Sequence, residues 1–175
     1  MKIFLTRQSR ILWGPFFAVG VALVGCQGLV EQKARLCPSV VILADTNVVT
    51  VLVPGTDLPV VALEASLSRV NSACQASSER VEVEIAFQID ALRSEAVDTT
   101  AIELPFFVAV TDGRERLLGK DIFFSHLNFN EAGEAAKVEK LVESIPLADG
   151  ESPLDFRIIL GFQVTPEELK YNQAR

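Results

Sequence analysis

The stretch RVEVEIAFQIDAL, from Arg80 to Leu92, decides the fold class of this chain. Apolar side chains occupy every second position from Val81 to Ala91, and most positions between them are Glu, Gln or Asp. This period of two is typical of a strand with one buried face, whereas a helix would repeat its apolar residues every three or four positions. The stretch therefore predicts a long strand of an antiparallel sheet that faces solvent on one side.

Further strands are predicted on both sides of this stretch. Residues 61–67 alternate in the same way, and strands are also expected over 40–44, 48–53, 102–111, 116–124 and 155–164. Asp112-Gly113 is the strongest hairpin signal, with Gly113 expected to supply the positive φ of a tight turn. About seven short-linked strands predict an all-β fold, an antiparallel immunoglobulin/fibronectin-like sandwich.

Two segments near the C-terminus carry helical features. Residues 131–145 fit either a helix ended by Pro146 or an edge strand beginning near Lys137, and the strand is the preferred interpretation. Thr165-Pro166-Glu167-Glu168 has a capping hydroxyl, a first-turn Pro and a Glu at the third helical position. It predicts a short C-terminal helix.

The N-terminus has the pattern of an export signal. A run of 15 uncharged residues follows Lys2, Arg7 and Arg10. This length fits the apolar region of a signal peptide and is shorter than the roughly 20 residues that a membrane span needs. Leu23-Val24-Gly25-Cys26 then resembles the lipobox of bacterial lipoproteins. We therefore expect a signal peptide over 1–25, a lipidated tether over 26–36 with the lipid on Cys26, and a β-sandwich domain over 37–175.

Charge and lipidation indicate the partners. The basic leader contains no acidic residue, so the net charge of −7 for the chain leaves −10 for the remaining 150 residues. This surplus argues against nucleic acid, which requires clustered Lys and Arg. Acyl chains on Cys26 would hold the protein to a membrane. By the sorting pattern of enteric lipoproteins, Gln27 indicates the periplasmic side of the outer membrane.

Three cysteines are present, an odd number that needs explanation in an exported protein. With Cys26 lipidated, Cys37 and Cys74 remain as a pair in an oxidising compartment. Metal binding by the two thiols is the competing interpretation, but His126 is the only His and structural zinc needs four ligands. We predict a disulfide and no metal site.

Three stretches resemble segments of an uncharacterised family of bacterial lipoproteins. They are CPSVVIL at 37–43, LPFFVAV at 104–110 and GFQVTPEELKYN at 161–172, and the last is the most specific. Glu168 departs from the Gln expected there. The resemblance implies an exported lipoprotein and supplies no activity, cofactor or partner.

Catalytic patterns are weak. His126 lies in FSHLN without a Gly-x-Ser-x-Gly elbow, and neither Gly-x-Gly-x-x-Gly nor a Walker pattern occurs. Glu82, Glu84 and Asp90 share one strand face, which is more typical of a solvated surface than of an acid pair. We therefore predict no catalytic residue and no cofactor, with an envelope hydrolase using His126 as the least favoured alternative.

The Phe pairs are the remaining feature. Phe106-Phe107 and Phe123-Phe124 are adjacent within strands, so one member of each must point away from the core. Either the C-terminal helix or the tether covers these rings, which is the favoured interpretation, or they form an apolar patch that docks a partner. Together these features predict a non-enzymatic interaction or structural module acting through the Phe-bearing strands or a sheet edge, with a small-ligand carrier as the alternative.

Overall fold

The computed structural model describes residues 37–53, 60–95 and 97–174. The signal peptide predicted over 1–25, the lipidated Cys26 and the tether over 26–36 lie outside the described residues, and these remain predictions.

Eight strands and one short helix make up the described chain. They are β1 (Ser39–Ile42), β2 (Val48–Leu52), β3 (Val61–Ala76), β4 (Arg80–Arg93), β5 (Ala101–Asp112), β6 (Leu117–Asn128), β7 (Glu134–Pro146), β8 (Phe156–Phe162) and α1 (Pro166–Gln173). Single 3-10 turns lie at Ala44–Thr46 and Pro153–Asp155. The predicted all-β fold with a short C-terminal helix is confirmed, with eight strands where about seven were expected.

The strands form two four-stranded sheets that pack as a sandwich. Sheet A has the order β1-β8-β5-β6, and sheet B has the order β2-β3-β4-β7. The β1–β8 pair is parallel, and the other pairs are antiparallel. Consecutive strands β3 and β4, and β5 and β6, are hairpin neighbours, as short connections favour.

The core lies between the two sheets and is apolar and aromatic. Phe87 of sheet B meets Phe106 of sheet A edge to face, with ring centroids 5.2 Å apart. The largest fully buried apolar side chains are Phe87, Phe162, Ile85, Ile89, Ile158, Leu160, Val81, Val83 and Val108. Five of these nine come from the alternating stretch 80–92, so the strand predicted there does bury one face and supplies much of the core.

Two details of the prediction are resolved by the structure. The segment 131–145 is strand β7, which begins at Glu134, slightly before the expected Lys137. The Asp112-Gly113 hairpin also forms, but Glu115 rather than Gly113 adopts the positive φ, at 61°. Asp112 explains the difference, because its carboxylate accepts hydrogen bonds from the backbone N–H of Arg114 and Arg116 and shapes a three-residue loop.

Candidate functional site

The sandwich has two lateral sides where sheets end. We call the side of β1 and β2 the closed side and the side of β6 and β7 the open side. On the closed side the terminal strands have four and five residues, whereas on the open side they have 12 and 13. Terminal strands offer unpaired backbone groups to other chains, so long ones need protection or a partner.

The closed side is joined covalently. Cys37 precedes β1 of sheet A and Cys74 lies in β3 of sheet B, and their Cα atoms are 5.7 Å apart in a disulfide. The bridge predicted from the cysteine count is therefore present. It ties the two sheets together where β1 begins.

Helix α1 covers the end of sheet B on the same side. The capping box predicted at its start is present, with Thr165 N–H donating to Glu168 and Glu168 N–H donating to Thr165 Oγ1. The Asn172 amide donates to the carbonyls of Asp45 and Val48 at 2.9 and 2.7 Å. Side-chain donors thus satisfy backbone acceptors beside β2.

Strand β6 is the exposed terminal strand of the open side. Within the described residues it pairs with β5 alone. Every position from Leu117 to Phe124 is exposed, and Ser125 and Leu127 are buried. The exposed positions include five large apolar side chains, those of Leu117, Leu118, Ile122, Phe123 and Phe124.

The register with β5 assigns these side chains to the two faces of sheet A. Ile122 pairs with Phe107 and Phe124 with Pro105, so both lie on the outer face, where they are 50% and 57% exposed. Phe123 pairs with the core residue Phe106 and stacks on its ring at 5.5 Å. The outer face of β6 therefore presents apolar side chains along its free edge.

The four paired Phe rings have different surroundings. Phe106 is in the core, and Phe107 is on the outer face but buried beneath the Lys120 ammonium, 4.4 Å from its ring centre. Phe124 is open. The expected cover by the C-terminal helix is wrong for Phe124, because α1 packs mainly on β2 and the 3-10 turn at Ala44–Thr46. The helix is held there by the hydrogen bonds of Asn172. The other expected cover, the tether over 26–36, lies outside the described residues.

Polar groups close part of the seam between β6 and β7. Ser125 is fully buried and donates to Glu139 at 2.6 Å, and Lys137 lies 2.7 Å from the same carboxylate. Burial raises the pKa of the Glu139 carboxyl. Hydrogen bonds from Lys137 and Ser125, together with the electrostatic effects of Lys137 and His126, outweigh burial, so the pKa is lowered overall. The polar side chains at this end of the seam therefore all have hydrogen-bond or ion-pair partners.

The other end of the seam contains two carboxylates, Asp121 of β6 and Glu143 of β7. Asp121 pairs with the core residue Val108, so it faces inward towards sheet B. Burial raises the pKa of the Glu143 carboxyl, and the negative charge of Asp121 raises it further. Among the described residues, neither carboxylate has an ion pair or hydrogen-bond partner.

These seam residues were missed in the sequence analysis. Lys137, Glu139 and Glu143 share the inward face of β7 with Leu141, which made the segment look like a mixed edge strand. Inward charges on a terminal strand are a known protection against unwanted pairing. That mixture of charged and apolar residues was the signal that could have located the seam.

The candidate catalytic groups do not converge. His126 is on the outer face of β6, with its Nε2 3.0 Å from Glu103 of β5, while Ser125 points into the core. Adjacent strand residues face opposite ways, so Ser125 and His126 cannot form a nucleophile and base pair. In the described part of the chain, no three His, Cys, Asp or Glu side chains gather as metal ligands.

The structure has open surface grooves among its described residues. One of about 500 Å³ is on the outer face of sheet B, lined by residues that include Ala73, Glu84 and Lys140. The predicted polar row Glu82, Glu84 and Asp90 also lies on this face, with both Glu residues exposed. A carrier pocket between the sheets gains no support, because large side chains fill that space.

The site thus defines a class: a β-sandwich with one protected side and one long, apolar strand edge. The chain matched none of the protein-family models, curated proteins or solved structures with which it was compared. The lipoprotein-family resemblance therefore stays a prediction. Within the described ranges, no helix is long and apolar enough to cross a membrane.

Proposed function

We propose that this protein is a lipid-anchored, non-enzymatic interaction module of the bacterial envelope that binds an extended segment of another envelope protein along β6. The observation that carries the proposal is the exposed apolar edge of β6, a 12-residue terminal strand. An extended segment that pairs with such an edge gains backbone hydrogen bonds, and alternate side chains supply the specificity.

Exposure and charge favour β6 over the neighbouring β7. An added strand beside β7 would bury the inward-facing Lys137, Glu139 and Glu143, and burying charges is costly. An added strand beside β6 would cover Ile122 and Phe124, whose burial is favourable, and would bury one inward charge, that of Asp121, instead of three. The free edge of β6 is therefore the better acceptor.

The position of the predicted anchor is compatible with binding at β6. Cys37, which begins the described chain after the tether expected over 26–36, is on the closed side. Three strand spacings of sheet A, about 14 Å in all, separate β1 from β6. The described chain therefore begins on the side of the molecule opposite the free edge of β6.

Photo-crosslinking in intact cells tests the proposed edge. A photoreactive amino acid at position 118 of the full-length chain should crosslink to an extended segment of an envelope protein, and Ile122→Ser/Phe124→Ser should abolish that crosslink. The matched control is β7, where Val138 and Val142 are 55% and 63% exposed. Val138→Ser/Val142→Ser should leave the crosslink intact.

Two outcomes would overturn the proposed edge. One is a crosslink from position 118 that persists in Ile122→Ser/Phe124→Ser, and the other is a crosslink to a second copy of this chain. The lipid anchor has its own test, which is incorporation of radiolabelled palmitate into the native protein and its loss in Cys26→Ser. Unmodified Cys26 in mature protein would overturn the anchor.

A further inference from the structure

Resting on the proposed strand addition, we propose that the segment bound at β6 carries a Lys or Arg directly opposite Asp121, with apolar residues on one side of it, opposite Ile122 and Phe124. The geometry that points to this partner is two carboxylates, without ion pairs among the described residues, that face the seam beside the exposed apolar side chains of β6.

The added strand would lie about 4.8 Å beyond β6 and continue its alternation. A residue opposite Asp121 would therefore face inward, towards β7 and Glu143, as Asp121 itself does. Residues opposite Ile122 and Phe124 would face outward beside those apolar side chains. Inward and outward positions along the edge therefore favour different classes of residue in the partner.

The two carboxylates define the charge of the inward position. Asp121 pairs with the core residue Val108 and Glu143 with the core residue Val83, so both carboxylates face the seam between the two sheets. Neither has an ion pair among the described residues, and the negative charge of Asp121 raises the pKa of Glu143. Opposite charges placed across neighbouring strands stabilise pairing, whereas like charges oppose it. A basic side chain between them would compensate both carboxylates at once.

A second copy of this chain does not meet the requirement. The inward positions of β6 are Gly119, Asp121, Phe123, Ser125 and Leu127, and none is basic. Pairing of two β6 strands would bring additional carboxylates to the seam without a cation. Each mature chain is also expected to carry a net charge of −10. The occupant is therefore a different, basic and apolar sequence.

Three synthetic nine-residue peptides test the charge at this position. All alternate Thr with Val or Ile, and they differ at the central residue of the Thr face, which is Lys, Gln or Glu. Binding of each labelled peptide to the detergent-extracted mature protein is measured by fluorescence anisotropy. The Lys peptide should bind about fivefold tighter than the Gln peptide, as for one opposed charge pair across strands, and the Glu peptide should bind most weakly.

Variants of the protein test whether the two carboxylates cause the preference for the Lys peptide over the Gln peptide. Asp121→Asn/Glu143→Gln should make the Kd values of the Lys and Gln peptides equal while leaving that of the Gln peptide unchanged. The control is Glu82→Gln, an exposed carboxylate of sheet B, which should keep the full discrimination. Ile122→Ser/Phe124→Ser should weaken binding of all three peptides.

The outcomes separate the two proposals. Equal binding of the three peptides, all weakened by Ile122→Ser/Phe124→Ser, would overturn the basic partner and leave strand addition in place. Absence of binding by every peptide would overturn strand addition and with it this inference. A dimer in sedimentation that Ile122→Ser/Phe124→Ser dissociates would show that a second copy occupies the edge, and would also overturn it.

Discussion

The closed and open sides of the sandwich differ in how their terminal strands are protected. On the closed side, β1 and β2 are short, a disulfide joins the sheets, and Asn172 hydrogen-bonds the backbone beside β2. On the open side, β6 and β7 are long, and within the described residues one hydrogen bond, from Ser125 to Glu139, bridges them in place of a covalent bond. The closed side therefore stabilises the sandwich, whereas the open side leaves an apolar strand edge accessible.

The largest expected effect is on the closed side. Cys37→Ala/Cys74→Ala should lower the free energy of unfolding by about 4 kcal/mol, because the bridge restricts a long loop of the unfolded chain. The matching change on the open side, Ile122→Ser/Phe124→Ser, should alter it by less than about 0.5 kcal/mol. Urea denaturation of both variants measures the difference. Equal losses would contradict the division into a stabilising side and a binding side.

A glycine substitution gives the next largest effect. A Cβ at Gly161 would overlap Thr46 Oγ1 and approach the Phe107 ring to 2.7 Å, so Gly161→Ala should cost about 2 kcal/mol by overpacking. At Gly119 in β6, nothing lies within 4 Å of the added Cβ. Gly119→Ala should therefore be nearly neutral in the same denaturation assay. A costly Gly119→Ala would mean that β6 is covered.

The sequence predicted the closed side better than the open side. The Cys37–Cys74 pair followed from cysteine counting, and the helix cap followed from Thr165 and Glu168, because both signals are local or discrete. The extension of β3 to Ala76 was missed because its second half is mostly exposed and lacks the regular apolar alternation of the first half. The Asp121–Glu143 pair was also missed, because it depends on how two sheets meet and no sequence spacing encodes that.

The seam between β6 and β7 allows a smaller effect with a defined pH dependence. The pKa of Glu139 is lowered in the folded protein, so its ionised form contributes stability above its unfolded pKa of about 4.3. That contribution is lost as the pH falls through the folded pKa. Glu139→Gln should therefore lower the urea midpoint at pH 7 and converge with the unmodified protein in acid. A pH-independent difference would assign the loss to packing alone.

The smallest effect has the opposite sign and arises four residues further along the same strand. The pKa of Glu143 is raised on folding, so ionised Glu143 destabilises the native state, and stability falls as the pH rises from about 4.3 through the higher folded pKa. Glu143→Gln should remove that cost, raising the urea midpoint slightly at pH 7 with no gain in acid. The same carboxylate should favour the Lys peptide, so Glu143→Gln should increase stability while reducing discrimination. A destabilised Glu143→Gln would indicate that Glu143 already has a partner in the free protein, which would remove the reason for a basic residue in the bound segment.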